Sequence, residues 1–244
     1  MTERIAKYLA RCGIASRRGA EELILQGFVK VDGKTITSPA FNVTIANKIT
    51  FKNKPVVLPE NTLRLWRYHK TKGLLTTNKD PDGRPTIFER LPKDLPRVIT
   101  VGRLDLNSEG LLLLTNNGGV ARHLELPSTA WKRTYRVRVF GKMDSAILEP
   151  LQHGVTIDGV QYAPITAVLE RQQGDNAWLL VTLTEGKNRE IRKVMEYLGY
   201  SVNRLLRVSY GPFQLGKLAE GAVQEVPLRI LKASLGKELM EKLR

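Results

Sequence analysis

The chain has 244 residues, 42% hydrophobic and 26% charged, with 39 Lys/Arg against 24 Asp/Glu, a formal net charge of +15 and a pI near 10.0. The balance fits a soluble globular protein, and no apolar run approaches the roughly 18 residues of a spanning helix. The surplus positive charge calls for a polyanionic partner, nucleic acid ahead of an anionic membrane. One cysteine, Cys12, excludes an internal disulfide framework and fits a reducing compartment. The start Met1-Thr2-Glu3-Arg4 lacks the apolar stretch of a signal peptide, so a cytoplasmic protein is expected.

Ile5, Tyr8, Leu9 and Cys12 fall at i, i+3, i+4 and i+7 and form one apolar helical stripe, with Arg4, Lys7 and Arg11 on the other face. Cys12 therefore reads as core, not as a reactive thiol. Gly13 ends that helix, and Ser16 caps a second one that turns Ala20, Leu23 and Ile24 inward and stops at Gly27. Arg17 and Arg18 sit in its first turn against the helix dipole, a placement costing a few tenths to about 1 kcal/mol. They are either a solvated pair or phosphate contacts. Residues 28–31 and 34–37 about Asp32-Gly33 give a hairpin signal. A further strand pair is expected around 49–51, before an Asn53-Lys54-Pro55 turn.

The run Gly13-Ile-Ala-Ser-Arg-Arg-Gly-Ala-Glu-Glu-Leu-Ile, followed by Gly27-Phe-Val-Lys-Val-Asp-Gly, resembles the alpha-L motif, a small RNA-binding module of helix, loop, helix and hairpin. The resemblance covers most of residues 2–50. It implies a basic helix face, with Arg4, Lys7, Arg11, Arg17 and Arg18 lying against structured RNA. Residues 55–61 read as a linker, which divides the chain into domains 1–60 and 61–244. Residues 1–60 hold ten Lys/Arg and five Asp/Glu, net +5, which leaves +10 for the remainder. The second domain is thus also expected to touch nucleic acid.

From Leu63 the pattern is β-rich. Strands are expected at 65–68 and 74–77, a turn at 80–85, and a short helix opened by Thr86. Residues 101–118 are the centre of the chain. A polar loop there holds one carboxylate, Asp105, and the apolar run Leu111–Leu114 fits a strand buried on both faces, closed by a turn at Asn116-Asn117-Gly118-Gly119. A loop aspartate of this kind either caps a turn or presents a reactive group from a rigid scaffold. Residues 135–140 alternate, with Arg136 and Arg138 on one face. Residues 143–151 suit a helix, 155–160 a hairpin and 177–184 a strand. A helix at 189–198 carries the stripe Ile191, Val194, Met195 and Leu198. Arg192 lies about one hundred degrees round the wheel from Ile191, so it borders the buried face and can point into a cleft. Leu231, Leu235 and Leu239 suggest a C-terminal helix.

His69, His123 and His153 are isolated, with no ligand at zinc spacing, and no metal is expected. No phosphate- or dinucleotide-binding glycine loop follows a strand, so no nucleotide cofactor is expected. Ser108 and Ser128 lack a nucleophile elbow.

Gly102-Arg-Leu-Asp-Leu-Asn-Ser-Glu-Gly-Leu-Leu-Leu-Leu-Thr-Asn resembles the catalytic motif of bacterial ribosomal RNA pseudouridine synthases of the RsuA/RluB type. Supporting matches are Tyr68-His-Lys-Thr-Lys-Gly, Gly83-Arg-Pro-Thr-Ile-Phe, Thr134-Tyr-Arg-Val-Arg-Val and Glu185-Gly-Lys-Asn-Arg-Glu-Ile-Arg, in the family's order. The resemblance implies an α+β fold: an alpha-L domain, then a synthase domain with a bent, mostly antiparallel sheet and flanking helices. It implies isomerisation of uridine to pseudouridine in ribosomal RNA, without a cofactor. By position Asp105 matches the essential aspartate, acting at the sugar C1′, at uracil C6 or in forming a glycal. Tyr135 matches the tyrosine that stacks on the flipped base, and Leu183 is the candidate apolar contact on the base's other side. Arg192 matches the arginine that pairs with the aspartate and holds it charged and aimed. Arg103 is a candidate to fill the vacated helix position, and Lys187 and Arg189 to contact RNA.

Departures are mild: Ser108 stands where threonine is usual, Asn117 where aspartate is common, and Arg133 at a position often lysine. Val139-Phe140-Gly141 and the residues from Leu183 lean to the branch acting on large-subunit 23S RNA, with small-subunit 16S RNA as the alternative. A monomer is expected. Two rivals are a non-catalytic ribosome-assembly factor and an RNA methyltransferase, the latter requiring an adenosylmethionine loop that the sequence lacks.

Overall fold

A computed structural model describes residues 2–58, 63–78 and 80–242. The chain forms two compact units, one built on residues up to Leu63 and one from Arg64 onward. The linker expected at 55–61 lies partly outside the described residues.

In the first unit, β1 (Glu3–Arg4) leads into α1 (Ile5–Arg11) and α2 (Arg17–Leu25), followed by β2 (Val29–Val31), β3 (Lys34–Ile36), β4 (Asn42–Val43), β5 (Ile49–Phe51) and β6 (Lys54–Pro55). Strand β1 pairs with β4, and the other four form a sheet in the order β3-β2-β5-β6. Ile5, Leu9, Ile24, Val29 and Val43 are fully buried, and Cys12 packs against them. Burial above all pushes the Cys12 thiol up to about 11, which makes it a poor nucleophile. Ser16 caps α2, its Oγ accepting from Gly19 N at 3.0 Å. Asp32 and Gly33 both have positive φ, as a two-residue hairpin turn requires. The second turn falls at Lys52-Asn53, both left-handed, so Lys54 and Pro55 belong to a strand and not to the turn expected there.

Two basic residues expected on the free face of α1 differ from that reading. Arg4 precedes the helix as its N-cap. Arg11 is drawn back across Tyr8 onto Glu3, at 2.7 Å, because its long stem reaches the neighbouring carboxylate. Lys7, Arg17 and Arg18 remain exposed.

The second unit is built on β7 (Leu65–Lys70), β8 (Ile99–Val101), β9 (Glu109–Thr115), α3 (Gly118–Glu125), β10 (Arg133–Phe140), β11 (Val155–Ile157), β12 (Val160–Tyr162), β13 (Thr166–Gln173), β14 (Asn176–Leu183), α4 (Glu190–Tyr197), β15 (Ser201–Tyr210), β16 (Phe213–Gln214), β17 (Val223–Glu225), α5 (Leu228–Leu235) and α6 (Lys237–Lys242). Its main sheet runs β13-β14-β10-β15-β9-β7-β17, with β16 on β15 and β8 on β9. All these pairings are antiparallel except β15 with β9. The alternation in β10 and β14 sends Tyr135, Val137, Val139, Leu179, Val181 and Leu183 into the core and leaves Arg136, Arg138 and Trp178 on the other face. Leu111 to Leu114 are all fully buried, as their unbroken apolar run requires.

Several expected elements are revised. Residues 74–77 form no strand: Leu75 makes a single bridge to Thr86, and Thr76 turns its hydroxyl to Leu104. Gly118 and Gly119 open α3 instead of closing a turn. The helix expected at 143–151 is a 3-10 helix at Ser145–His153, whose Pro150 lacks an amide donor. The C-terminal helix breaks at Gly236 (φ 79) into α5 and α6. No helix among the described residues is long and apolar enough to cross a membrane.

Candidate active site

The loop between β8 and β9 carries Asp105, and buried cations tie its main chain down. Lys70, fully buried at the end of β7, donates from Nζ to the carbonyls of Thr71 (3.1 Å), Asp105 (3.1 Å) and Ser108 (2.8 Å). Desolvation brings the Lys70 pKa down to about 8, with Asp105 and Glu109 acting in the opposite direction. Thr76 Oγ1 donates to the Leu104 carbonyl at 2.8 Å, Gly73 N to Leu106 O at 2.8 Å, and Gly102 N to Glu125 Oε1 at 2.7 Å. Gly110 follows at φ 99, where an added Cβ would sit 2.3 Å from the Arg207 carbonyl. Only glycine lets β9 approach β15 there.

The loop opens on a cavity of about 900 Å³ whose walls include Asp105, Arg103, Tyr135, Leu183, Lys187 and Arg189. Six of the residues singled out in the sequence thus meet in one place. Tyr135 and Leu183 are 8% and 3% exposed, so each offers only an edge to the cavity, while Arg103, Lys187 and Arg189 are exposed. Four carboxylates line the cavity, and three are engaged. Glu125 holds Gly102, and Glu185 accepts from Ala163 N at 2.7 Å and from Lys187 Nζ. Glu190 Oε2 accepts from Lys187 N at 2.9 Å. Among the described residues the Asp105 side chain accepts no hydrogen bond, and its ion contact is with Arg189 at 4.0 Å.

Among the described residues Arg192 makes no ion pair with Asp105 within 4.0 Å, the pairing that the resemblance implied. Its guanidinium donates to Val202 O and Asn107 O, both at 2.9 Å, and it does not line the cavity. A residue on the border of the buried helix face reaches the nearest carbonyls first, and these lie on β15 and on the Asp105 loop. Desolvation foremost, then Arg189, lowers its pKa, while Asp105 raises it. The guanidinium over Asp105 comes instead from Arg189, the N-cap of α4, held in the left-handed region at φ 51 and ψ 31.

Sequence reasoning did not single out Lys70, Glu190 or the Arg133–Tyr210–Arg207 group. Arg133 donates to Thr184 O (2.6 Å) and Tyr210 Oη (2.8 Å), Tyr210 Oη donates to Leu124 O (2.7 Å), and Arg207 Nε donates to Leu111 O (2.7 Å). Both guanidinium groups lie within about 5 Å of the Tyr210 ring, close enough for cation–π attraction. Burial raises the Glu190 carboxyl to about 7. The match at residues 68–73 was the one available pointer to Lys70; the remainder needed the sheet order.

Residues 64–197 match the RNA pseudouridylate synthase family, and residues 3–49 the S4 domain. An uncharacterized RNA pseudouridine synthase of Rickettsia felis is 51% identical over 94% of this chain and 99% of its own length. A ribosomal large subunit pseudouridine synthase B of Yersinia pestis is 43% identical over 94% of this chain and 74% of its own. A solved structure described as that of a pseudouridylate synthase shares the fold, with a TM-score of 0.65 and 24% identity over 99% of both chains. The chain belongs to the RNA pseudouridylate synthase family: it is an isomerase acting on RNA, with an S4 domain ahead of its catalytic domain.

Proposed function

We propose that Asp105 is the catalytic carboxylate and that the substrate is a uridine of ribosomal RNA, in the large subunit. The observation that carries this reading is the Asp105 side chain itself. Among the described residues it is the cavity carboxylate with no hydrogen-bond donor on it, in a space whose walls include Tyr135 and Leu183. The reaction breaks the bond from uracil N1 to the sugar and remakes it from uracil C5. The C5 hydrogen is lost and N1 gains a proton, so no oxidant, reductant or net water is required.

In this reading the target nucleotide leaves its helix, which costs a few kcal/mol, and its base enters between Tyr135 and Leu183. Asp105 acts at the sugar C1′, at uracil C6 or in forming a glycal. Arg192, through the Asn107 carbonyl, is a positioning residue for the Asp105 loop, and Arg189 supplies the facing positive charge. Arg103 fills the gap in the RNA helix and Lys187 meets the backbone; Lys7, Arg17 and Arg18 of the S4 domain make phosphate contacts of their own. Support for large-subunit RNA is the 43–44% identity to proteins named for that substrate. The enzyme works as a cytoplasmic monomer, with RNA and not a membrane as its partner.

Asp105→Asn tests the assignment, since it removes the charge and keeps the shape. Pseudouridine formation, read by release of tritium from C5-labelled uridine in ribosomal RNA, should fall to background while RNA affinity changes little. Retained turnover would sink the assignment of Asp105. Tritium release confined to small-subunit RNA would overturn the substrate.

A further inference from the structure

We infer that the face of the main sheet turned away from the cavity is a second RNA-binding surface, centred on Trp178 and taking an unpaired stretch of RNA outside the target nucleotide. Tyr135 and Leu183 line the cavity from one side of β10 and β14. Neighbours in the same strands point the other way, and the register sets Arg138 directly across from Trp178, with Arg171 across from it on β13. The guanidinium carbons of Arg136, Arg138 and Arg171 lie 5.2, 5.7 and 5.9 Å from the indole centroid.

Charge decides what fits there. Arg136 is paired with Glu170 at 2.9 Å. Among the described residues Arg138 has only a 3.4 Å hydrogen bond to Asn203. Arg171 is exposed, with no acidic partner among the described residues. The next arginine on this face, Arg204, is taken by Glu109 at 2.9 Å. Two guanidinium groups around one ring are therefore left without a carboxylate. Cation–π attraction at a partly exposed site is weak, so the like charges are better satisfied by a polyanion. A half-buried indole with guanidinium groups over its ring matches what single-stranded RNA uses: the cations turn to the phosphates and a base takes their place on the ring. A rigid duplex would leave the indole unused, and an acidic protein would not need it.

The test uses the full chain and protein-free large-subunit ribosomal RNA, with affinity measured from about 50 to about 200 mM salt. Arg138→Ala/Arg171→Ala should bind about tenfold more weakly at the lowest salt, and the slope of log affinity against log salt should fall by about two phosphate contacts. Trp178→Phe should weaken binding less and keep the slope. At saturating RNA the turnover of the double variant should equal that of wild type, because neither arginine reaches the cavity. An unchanged affinity and slope in a double variant that melts like wild type would overturn the proposal, and so would a fall in affinity with the slope intact. Should the alanine pair fail to fold, Arg138→Gln/Arg171→Gln keeps most of each stem and carries the same expectation. The surface rests on this chain being an RNA enzyme, not on Asp105. An inactive wild-type chain would sink the catalytic assignment and leave this binding result standing.

Discussion

In the N-terminal unit Lys7, Arg17 and Arg18 reach from α1 and α2 into solvent. In the catalytic unit Lys70, Arg133, Arg192 and Arg207 are buried or half-buried, and each donates to main-chain carbonyls. The same residue types thus do two jobs. A cation left in water offers long-range attraction to phosphate and adds little to stability. A cation withdrawn from water pays a desolvation cost and is tolerable only when its donors are used. Around Asp105 those donors fall on the loop's own carbonyls, so positive charge there is converted into a fixed loop geometry.

The sharpest way to break this comparison is Lys70→Met. The Met side chain fills a similar volume but leaves the carbonyls of Thr71, Asp105 and Ser108 without their donor. Removing the buried charge recovers part of the loss, so a net destabilisation of about 1–3 kcal/mol is expected in thermal or urea unfolding. Activity should fall further than stability, by more than about tenfold in kcat, because a loosened Asp105 loop loses its aim. RNA affinity should hardly move. A variant with wild-type turnover would show that Lys70 is only a tolerated buried charge.

Lys70 also shows where the sequence stopped being legible. Period-two alternation declared β10, the helical stripe declared α4, and Asp-Gly pairs marked two hairpins, because each signal is contained in a few adjacent residues. Nothing local marks a lysine as fully buried. Its environment depends on β7 lying beside β9, a pairing some forty residues apart along the chain. Strand β13 was invisible for a related reason: Thr-Ala-Val-Leu-Glu-Arg-Gln-Gln is a mostly solvent-facing edge strand with little apolar pattern. At the site, motif order pointed to Asp105, Tyr135 and Leu183, which line one cavity. It did not point to Arg189 as the guanidinium in ion contact with Asp105, since that contact starts from the left-handed backbone of Arg189, ahead of the helix. Wheel geometry does not extend to a residue outside the helix.

A smaller effect, within the catalytic unit, is one of pH. Glu190 is buried, with its pKa raised to about 7, so the folded chain keeps a proton that the unfolded chain releases near the usual value of 4.5. Its contribution therefore weakens stability as pH rises from about 4.5 to about 7 and is constant above that. Glu185 beside it acts in the opposite sense but at lower pH: burial raises its pKa, but Lys187 and Ala163 together hold it below the usual value, so its contribution grows as pH rises to about 4.5 and is constant above that. Glu190→Gln should flatten the fall in stability across that window, and near pH 8 it should gain on the order of 1 kcal/mol over wild type. Urea midpoints at pH 5, 6, 7 and 8 (chosen to bracket about 4.5 to about 7) check it. Parallel curves for the two proteins would mean that the carboxyl titrates as if in water.

The smallest structural effect belongs to Arg18→Ala in the N-terminal unit. Arg18 is exposed in the first turn of α2. Its charge opposes the helix dipole, so removing it should leave stability within about 0.5 kcal/mol, with any change toward greater stability. RNA affinity should nevertheless drop a few-fold and the salt slope by about one phosphate contact. That pairing of a stability change near zero with a measurable change in slope is the reverse of Lys70→Met. It is what distinguishes a cation facing its partner from one facing its own backbone. If Arg18→Ala instead lowered the melting temperature and left the salt slope intact, the positive charge of the S4 domain would be serving the fold, and the contrast between the two units would disappear.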